Sequence, residues 1–332
     1  MKQSTALNIL KSGQNVFLTG SAGAGKTYTL NQYIHYLRAR KVPVAITAST
    51  GIAATHMNGM TIHAWSGIGI KDSLSDDELT QMFERKYLRN QIDKAEILII
   101  DEISMLHGRQ LDMVNQVLKF FRNTDTAFGG LQVVVAGDFF QLPPVGKPQE
   151  SNRDKFAFMS SAWQDAKFNI CYLTEQHRQK NNDLDIILNQ IRAQQVSPQS
   201  IQLLRQTRQQ TLEADITRLY THNVDVELIN QRYMNRINEK SYVFNAELKG
   251  NDKLVQTLVS NVRAPQELIL KQGAKVMFVK NNMESGYING TLGEVVDFIE
   301  EDGQTLPKVK LRDGSHLYVT PETWSIDNDS AK

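Results

Sequence analysis

The sequence is poor in several features whose scarcity restricts what the protein can be. It contains one cysteine, Cys171, which excludes an internal disulfide and any zinc site built from several cysteines. Cys171 sits in the apolar run 170–173, and we expect it to be an inert core residue. No run of about eighteen apolar residues occurs, so we predict no membrane partner. Residues 1–5 also lack the apolar core of a signal peptide.

An excess of charge of either sign is absent as well. The sequence has 37 Lys and Arg against 36 Asp and Glu, a net charge of +1. This balance neither requires nor forbids a nucleic-acid partner, and any DNA contact must come from local patches. With 332 residues, 41% hydrophobic and 22% charged, the composition is that of a globular protein with two or three domains.

The most informative segment that is present is Gly20–Thr27, which reads G-S-A-G-A-G-K-T. An apolar strand pattern (16–19) precedes it and a helical pattern (27–40) follows it. Its glycines permit a tight turn and a close backbone approach, and its N–H groups with the helix N-terminus favour phosphate. We therefore predict a bound nucleoside triphosphate, with Lys26 at the β- and γ-phosphates and Thr27 on Mg²⁺. The predicted nucleotide contacts are Gly20, Ser21, Ala22, Gly23, Ala24, Gly25, Lys26, Thr27 and Tyr28. A glycine-rich turn without this role is disfavoured by the strand before it and the helix after it.

Two further apolar strands end in polar residues. The run 97–100 leads into Asp101 and Glu102, which we assign to the Mg²⁺ water shell and to general-base activation of water. The run 133–136 leads into G-D-F-F-Q-L-P-P, where Gln141 is placed to sense a γ-phosphate. A solvated strand end and a polar turn are the alternatives, and the phosphate loop upstream makes them the minority reading.

The order of the patterns predicts the fold. Strand patterns at 16–19, 42–47, 97–101, 131–137 and 170–173 alternate with helical ones, which predicts a parallel sheet covered by helices on both faces. A Gln-rich but amphipathic helical region follows (183–210), then a strand (216–220) and a helix (224–237). From Lys271 short strands separated by Asp-Gly turns predict a small β-barrel or sheet module.

Taken in order, these motifs resemble those of the PIF-type DNA helicases, a superfamily 1B group related to RecD. The resemblance rests on the phosphate loop, D-E-I-S-M, G-D-F-F-Q-L-P-P-V and T-E-Q-H-R, and on T-A-S-T-G-I-A-A followed by G-M-T-I-H-A. It implies an α/β fold with a P-loop RecA-like motor domain over 1–172, which carries a wedge-like insertion at 71–94. A partial second RecA-like domain over 173–270 and a β-rich SH3-like module over 271–332 follow. For the insertion, a solvated helical excursion is as good a reading as direct contact with a DNA fork.

The same resemblance implies an activity and its partners. It implies an ATP-dependent helicase that moves 5′→3′ on single-stranded DNA and unwinds duplex in replication, repair or recombination. ATP and Mg²⁺ would be its cofactors, and single-stranded and forked DNA its partners. Since no targeting signal is seen, we expect a cytoplasmic protein of bacterial or phage origin. A P-loop kinase or GTPase is disfavoured because no acceptor or guanine-reading motif occurs.

Further residue roles follow from the resemblance alone. Gln3 corresponds to an adenine-reading glutamine, and Arg178 to an arginine that contacts the γ-phosphate from the second motor domain. The alternatives are an exposed polar residue for Gln3 and a surface salt bridge for Arg178. The implied catalytic set is Lys26, Asp101, Glu102, Gln141 and Arg178, and Thr27 and Asp101 are the implied metal ligands. The implied DNA contacts are Ser49, Thr50, Gly51, His63 and Trp65, although a lone Trp is more often packed in a core.

The last part of the sequence departs from the family pattern. After its β-rich module the family returns to the second motor domain with H-K-S-Q-G and Y-V-A-L-S-R motifs, and neither occurs here. A truncation, a split protein completed by a partner chain, or a member without a motor cycle would each explain this, and we favour truncation. We expect slow unaided hydrolysis, because losing a phosphate-contacting arginine costs roughly 10³-fold or more in rate. The alternative function is a catalytically incompetent nucleotide- and DNA-binding subunit.

Overall fold

The computed structural model of the protein describes residues 1–69, 71–146, 150–151, 153–175, 183–211, 218–220, 222–250, 252–262, 264–280, 282, 285–301 and 303–324. The chain divides into two compact units, Met1–Gln210 and Thr211–Lys332.

A six-stranded parallel sheet forms the centre of the first unit. Its strands are β1 (Val16–Gly20), β2 (Val44–Ala48), β3 (Met60–Thr61), β4 (Ile97–Asp101), β5 (Gln132–Ala136) and β6 (Asn169–Leu173). They lie in the order β3-β2-β4-β5-β1-β6, and all neighbours are parallel. The predicted parallel α/β sheet is confirmed, and the short edge strand β3 is an addition to it. The carboxyl ends of β1, β4 and β5 meet at one edge of the sheet, which is where such sheets bind ligands.

Ten α-helices accompany this sheet in the described part of the first unit. They are α1 (Gln3–Lys11), α2 (Lys26–Ala39), α3 (Gly51–His56), α4 (Ile62–Ser66), α5 (Asp76–Phe83), α6 (Lys86–Lys94), α7 (Gly108–Phe121), α8 (Ser161–Ala166), α9 (Asp183–Arg192) and α10 (Pro198–Thr207). Side chains alternate across each strand, so the sheet has a core on both faces. Val134 of β5 packs in one cluster with Leu30 of α2, and Val135 in the other with Leu118 of α7. Of the helices described, none is both long and apolar enough to span a bilayer.

The insertion predicted at 71–94 forms the helices α5 and α6. A capping box between Ser75 and Glu78 starts α5. Leu79, Met82, Leu88 and Ile92 are buried in the same cluster as α7. The apolar faces of both helices are therefore anchored in the core of the first unit, and the role of the insertion as a wedge stays a prediction.

The compact unit that contains the sheet runs beyond the domain boundary proposed from the sequence, and that boundary stays a prediction. The expected boundary between 172 and 173 falls inside β6, whose five residues all pair with β1. Hydrogen bonding along β6 keeps the strand with the sheet, and the first unit continues to Gln210. Cys171 of β6 is buried, as expected for an inert core residue.

The second unit is rich in antiparallel strands. Its elements are α11 (Asn223–Arg236), β7 (Tyr242–Asn245), α12 (Asp252–Asn261), β8 (Glu267–Leu270), β9 (Lys275–Met277), β10 (Leu292–Glu301), β11 (Gln304–Leu311) and β12 (His316–Tyr318). A four-stranded sheet has the order β12-β11-β10-β9, and β7 pairs with β8. The predicted β-rich module from residue 271 is confirmed. The strand predicted at 216–220 is not formed by residues 218–220, and 216–217 lie outside the described residues.

A carboxylate fastens the last described segment to this module. Glu322 accepts hydrogen bonds from Lys280 Nζ at 2.8 Å, Asn282 Nδ2 at 2.7 Å and the Tyr287 hydroxyl at 2.9 Å. These donors favour the ionised form, and they lower the pKa of Glu322 to about 2.

Candidate nucleotide site

The phosphate loop begins where the buried strand β1 ends. A Cβ at Gly20 would lie 2.7 Å from the carbonyl oxygen of Leu173, so a side chain there would collide with β6. Gly23 and Gly25 have φ of +81° and +86°, a region that side chains avoid. Gly25 is the N-cap of α2, which directs the first N–H groups of this helix at the loop. Sequence and backbone thus agree on a phosphate cradle.

Lys26 and Gln3 both contact this loop. Lys26 Nζ donates to the carbonyl oxygens of Gly20 at 2.9 Å and Ser21 at 3.2 Å. Burial lowers the pKa of Lys26, against the opposing charges of Asp138, Glu102 and Asp101. Gln3 Nε2 donates to the carbonyl oxygen of Ala24 at 3.2 Å, so the start of α1 lies beside the loop.

Three of the predicted nucleotide contacts are solvent-facing, namely Ala22, Thr27 and Tyr28. Thr27 and Tyr28 lie in the first turn of α2 and are exposed. Their hydroxyls are therefore accessible to a ligand that approaches the loop from solvent.

Asp101 and Glu102 lie at the end of β4, as predicted. Asp101 is only 7% exposed. Burial raises the pKa of Asp101 to about 6, and the charge of Glu102 adds to this effect. The Glu102 N–H, which donates to Asp101 Oδ1 at 2.9 Å, and the charge of Lys26 act in the opposite direction. Glu102 itself has a φ of +53°, a strained conformation for a non-glycine residue that is frequent at functional sites.

The donors present fit ATP with Mg²⁺. Mg²⁺ prefers oxygen ligands and usually takes one or two carboxylates together with phosphate oxygens and water. Asp101 and Thr27 offer a carboxylate and a hydroxyl of this kind. A buried carboxylate with a raised pKa is also a group whose charged form a divalent cation would stabilise.

Gln141 is hydrogen-bonded to Asp138, a residue to which the sequence analysis assigned no role. Its Nε2 donates to Asp138 Oδ2 at 3.2 Å, and its backbone N–H donates to the Asp138 carbonyl at 2.8 Å. Arg192 Nη1 of α9 donates to the same Oδ2 at 2.6 Å. The motif G-D-F-F-Q contains Asp138 and could have indicated it. Nothing in the sequence indicated Arg192, because a basic residue in the last turn is ordinary for any helix. Arg178 lies outside the described residues.

Ser49 and Thr50 use their hydroxyls within the protein. Ser49 Oγ donates to the Glu102 carbonyl at 2.7 Å, and the Ser49 N–H donates to the Asp101 carbonyl at 3.1 Å. Thr50 Oγ1 accepts from the Ala53 N–H at 3.3 Å at the start of α3. The segment predicted to contact DNA is therefore tied directly to the acidic end of β4, and Gly51 follows these two residues at the start of α3.

His63 and Trp65 both lie on α4 but in different surroundings. His63 is partly exposed, and burial lowers its pKa despite a hydrogen bond with Gln110. Trp65 is only 4% exposed and belongs to the core cluster of α7. Burial leaves little of Trp65 accessible to a ligand, which favours the alternative of a Trp packed in the core. The stacking role of Trp65 on a DNA base stays a prediction.

Comparison with known proteins places these features in a family. The family model described as PIF1-like helicase matches residues 2–218, and the model described as the 2B domain of DNA helicase Pif1 matches residues 253–298. An ATP-dependent DNA helicase Pif1 from Psychrobacter sp. is 58% identical over 323 residues, which are 95% of this chain and 49% of that relative. The chain therefore spans about half the length of this relative.

Two solved structures are similar over most of the chain. The crystal structure of Pif1 helicase from Candida albicans has a TM-score of 0.83 and 34% identity, and the match covers 99% of this chain and 80% of that one. Pif1 helicase from Bacteroides in complex with ADP-AlF3 and ssDNA has a TM-score of 0.67 and 30% identity, covering 95% of this chain and 73% of that one.

Proposed function

This chain belongs to the PIF1-like helicase family, and from that premise we propose that it uses ATP and Mg²⁺ to move 5′→3′ along single-stranded DNA and to unwind duplex. The observation that carries this proposal is the convergence of charged groups at one edge of the parallel sheet. Asp138, Glu102 and Asp101 all act electrostatically on Lys26 of the phosphate loop. Lys26 and Arg192 together with three carboxylates beside a phosphate cradle are suited to hydrolysis of a triphosphate.

We assign roles within this site as follows. Lys26 contacts the β- and γ-phosphates, and the loop N–H groups hold the remaining phosphate oxygens. Thr27 and Asp101 would hold Mg²⁺, which would neutralise charge on the phosphates. Glu102 accepts the proton of the attacking water, and Gln141 orients that water. Gln3 contacts the adenine, and Arg178 contacts the γ-phosphate.

The proposed DNA contacts lie on the segment that follows β2. Thr50, Gly51 and His63 would contact the backbone of single-stranded DNA, which positions a strand without reading its sequence. The two hydrogen bonds between Ser49 and the end of β4 would pass the position of the DNA to Asp101 and Glu102. The Bacteroides relative in complex with ADP-AlF3 and ssDNA supports both ligand classes. Forked DNA is the proposed substrate for unwinding, and a cytoplasmic location is proposed with it.

We also propose that the exposed apolar face of α9 packs against another protein surface. Leu184, Leu188 and Ile191 are each at least 50% exposed and lie on one face of this helix. An apolar stripe of this kind favours burial against another surface. A partner chain that supplies further motifs is one source of that surface.

Hydrolysis by the purified chain tests the nucleotide part of the proposal. We expect Mg²⁺-dependent ATP hydrolysis that single-stranded oligonucleotide stimulates and that Lys26→Ala abolishes. Lys86→Ala removes an exposed lysine at the start of α6 and serves as the matched control. Turnover that is equal in the wild type and in Lys26→Ala would contradict the proposal.

Unwinding with defined polarity tests the DNA part. Strand separation is measured on a fluorescent duplex with a single-stranded tail at either its 5′ or its 3′ end. We expect separation only with the 5′ tail. Preference for the 3′ tail would overturn the assigned direction of movement.

A further inference from the structure

Arg192 approaches the predicted γ-phosphate sensor from a helix that carries none of the recognised motifs. It is the last residue of α9, and its side chain is 18% exposed. Its guanidinium lies 4.4 Å from the centre of the Phe140 ring and 5.9 Å from that of Tyr172. Contact with aromatic faces fixes the plane of a guanidinium, so the direction of its hydrogen bonds is set in advance.

The partner of Arg192 is a carboxylate with almost no access to water. Asp138 is 2% exposed, and burial by itself would favour its protonated form. Hydrogen bonds from Arg192, Gln141 and the Phe140 N–H outweigh burial and hold the pKa of Asp138 below its usual range. Two other titratable groups interact with the pair: Lys26 acts electrostatically with both Asp138 and Arg192, and Tyr172 interacts with Arg192.

The ionisation of Asp138 determines how the Gln141 amide is oriented. An ionised carboxylate only accepts hydrogen bonds, so Gln141 must turn its Nε2 towards Asp138. That contact is 3.2 Å long and uses the same Oδ2 that Arg192 holds at 2.6 Å. The Oε1 of Gln141 is then directed away from Asp138 and is available as an acceptor. A protonated Asp138 would carry one O–H donor beside its remaining acceptor capacity, so it would no longer require the Gln141 amide to donate.

We propose that Arg192 is a positioning residue for ATP hydrolysis, which acts through Asp138 to present Oε1 of Gln141 to the attacking water. This inference rests on the hydrolysis proposed above. Arg192 does not act on the phosphate directly in this scheme, because moving it there would leave the buried Asp138 carboxylate without its charged partner.

A double-mutant cycle in the full chain tests the inference. The kcat and KM for ATP are measured for the wild type, Arg192→Ala, Gln141→Ala and the double variant. We expect Arg192→Ala to lower kcat by at least about tenfold with KM changed by less than about threefold, because small misplacements of a water-orienting group are costly. In the Gln141→Ala background, Arg192→Ala should lower kcat little further, because Arg192 acts through Gln141.

Further variants separate positioning from simple stabilisation. Arg192→Lys keeps the charge but loses the planar fork, so we expect an intermediate kcat. Arg205→Ala, on the exposed surface of α10, should leave kcat unchanged. In Arg192→Ala the acid limb of the kcat profile should move to higher pH, because Asp138 without Arg192 binds a proton more readily. If Arg192→Ala fails to fold, the cycle is run with Arg192→Lys.

The outcomes distinguish this inference from the function on which it rests. An equal loss of kcat in both backgrounds would overturn it, because Arg192 would then act independently of Gln141. An unchanged kcat in Arg192→Ala, with the wild type active, would overturn it while leaving the proposed hydrolysis intact. A wild type that is no more active than Lys26→Ala would overturn both.

Discussion

Two carboxyl groups at the ends of neighbouring strands have pKa values that are shifted in opposite directions. Asp101 is the last residue of β4 and Asp138 follows β5, and they are 7% and 2% exposed. Burial raises the pKa of Asp101 to about 6, whereas the pKa of Asp138 is lowered although burial opposes this. The difference arises from the donors that face Asp138, which are Arg192 in an ion pair, Gln141 and the Phe140 N–H. Burial alone therefore does not set the charge of a residue at this edge of the sheet.

Substitutions of Trp65 test whether this residue contributes to the stability of the core or to DNA binding. Because its ring is buried, Trp65→Ala should lower the free energy of unfolding by about 3–5 kcal/mol, as large core truncations do. Chemical denaturation of the purified chain measures this change. Trp65→Phe should retain the affinity for single-stranded DNA, measured by fluorescence anisotropy. A loss of DNA affinity in Trp65→Phe at unchanged stability would instead support the predicted role of Trp65 as a stacking residue.

At the scale of elements, the connection from α3 to β3 depends on close packing over β2. Gly59 directly precedes β3, and a Cβ there would lie 2.9 Å from the carbonyl carbon of Ile46. Ile46 is in the middle of β2, so its backbone cannot move without disturbing the pairing with β4. The segment that presents His63 on α4 is therefore positioned by backbone contact rather than by a flexible loop.

Gly59→Ala tests this contact. We expect it to lower the free energy of unfolding by about 1–3 kcal/mol, because backbone atoms must shift to admit the methyl group. Thermal or denaturant unfolding measures the change. Gly51→Ala is the matched control, since a Cβ there meets no atom within 4 Å. Equal stabilities of the two variants would show that the backbone between α3 and β3 can shift to admit the methyl group at little cost.

Some elements followed from the sequence and others did not, for identifiable reasons. The strands β1 and β4 are short apolar runs bounded by polar or glycine residues, so a local pattern was enough to place them. The strand β3 has only two residues and exists because it pairs with Thr47 and Ala48 of β2, which no local pattern reveals. The burial of α5 and α6 likewise depends on α7, which is distant in the sequence.

At the scale of the whole molecule, the two units have separate cores of different type. The first unit is a parallel sheet between helices, whereas the second buries Leu270, Phe278, Tyr287 and Val295 around antiparallel strands. Their responses to acid should differ as well. Glu322 belongs to the second unit, and its pKa is about 2 against an ordinary value of 4.5.

The pH dependence of the second unit follows from the sign of this shift. A carboxylate whose pKa is lowered by folding stabilises the folded state above pH 4.5, and this contribution is lost as the pH falls towards about 2. We expect hydrogen exchange in β10 and β11 to accelerate over this range, as measured by mass spectrometry. Glu322→Gln should remove that part of the dependence. Identical profiles for Glu322→Gln and the wild type would assign the acid response to other groups.

The sequence by itself determined the phosphate loop, the acidic end of β4 and the β-rich module. These features depend on local chemistry: glycines with positive φ, apolar runs of strand length and Asp-Gly turns act within a few residues. Only the tertiary structure decided that Arg192 pairs with Asp138, 54 residues away, and that Ser49 holds Glu102, 53 residues away. It also decided that Trp65 is buried. Such contacts depend on which surfaces the packed sheet brings together, and the spacing of residues along the chain does not encode that directly.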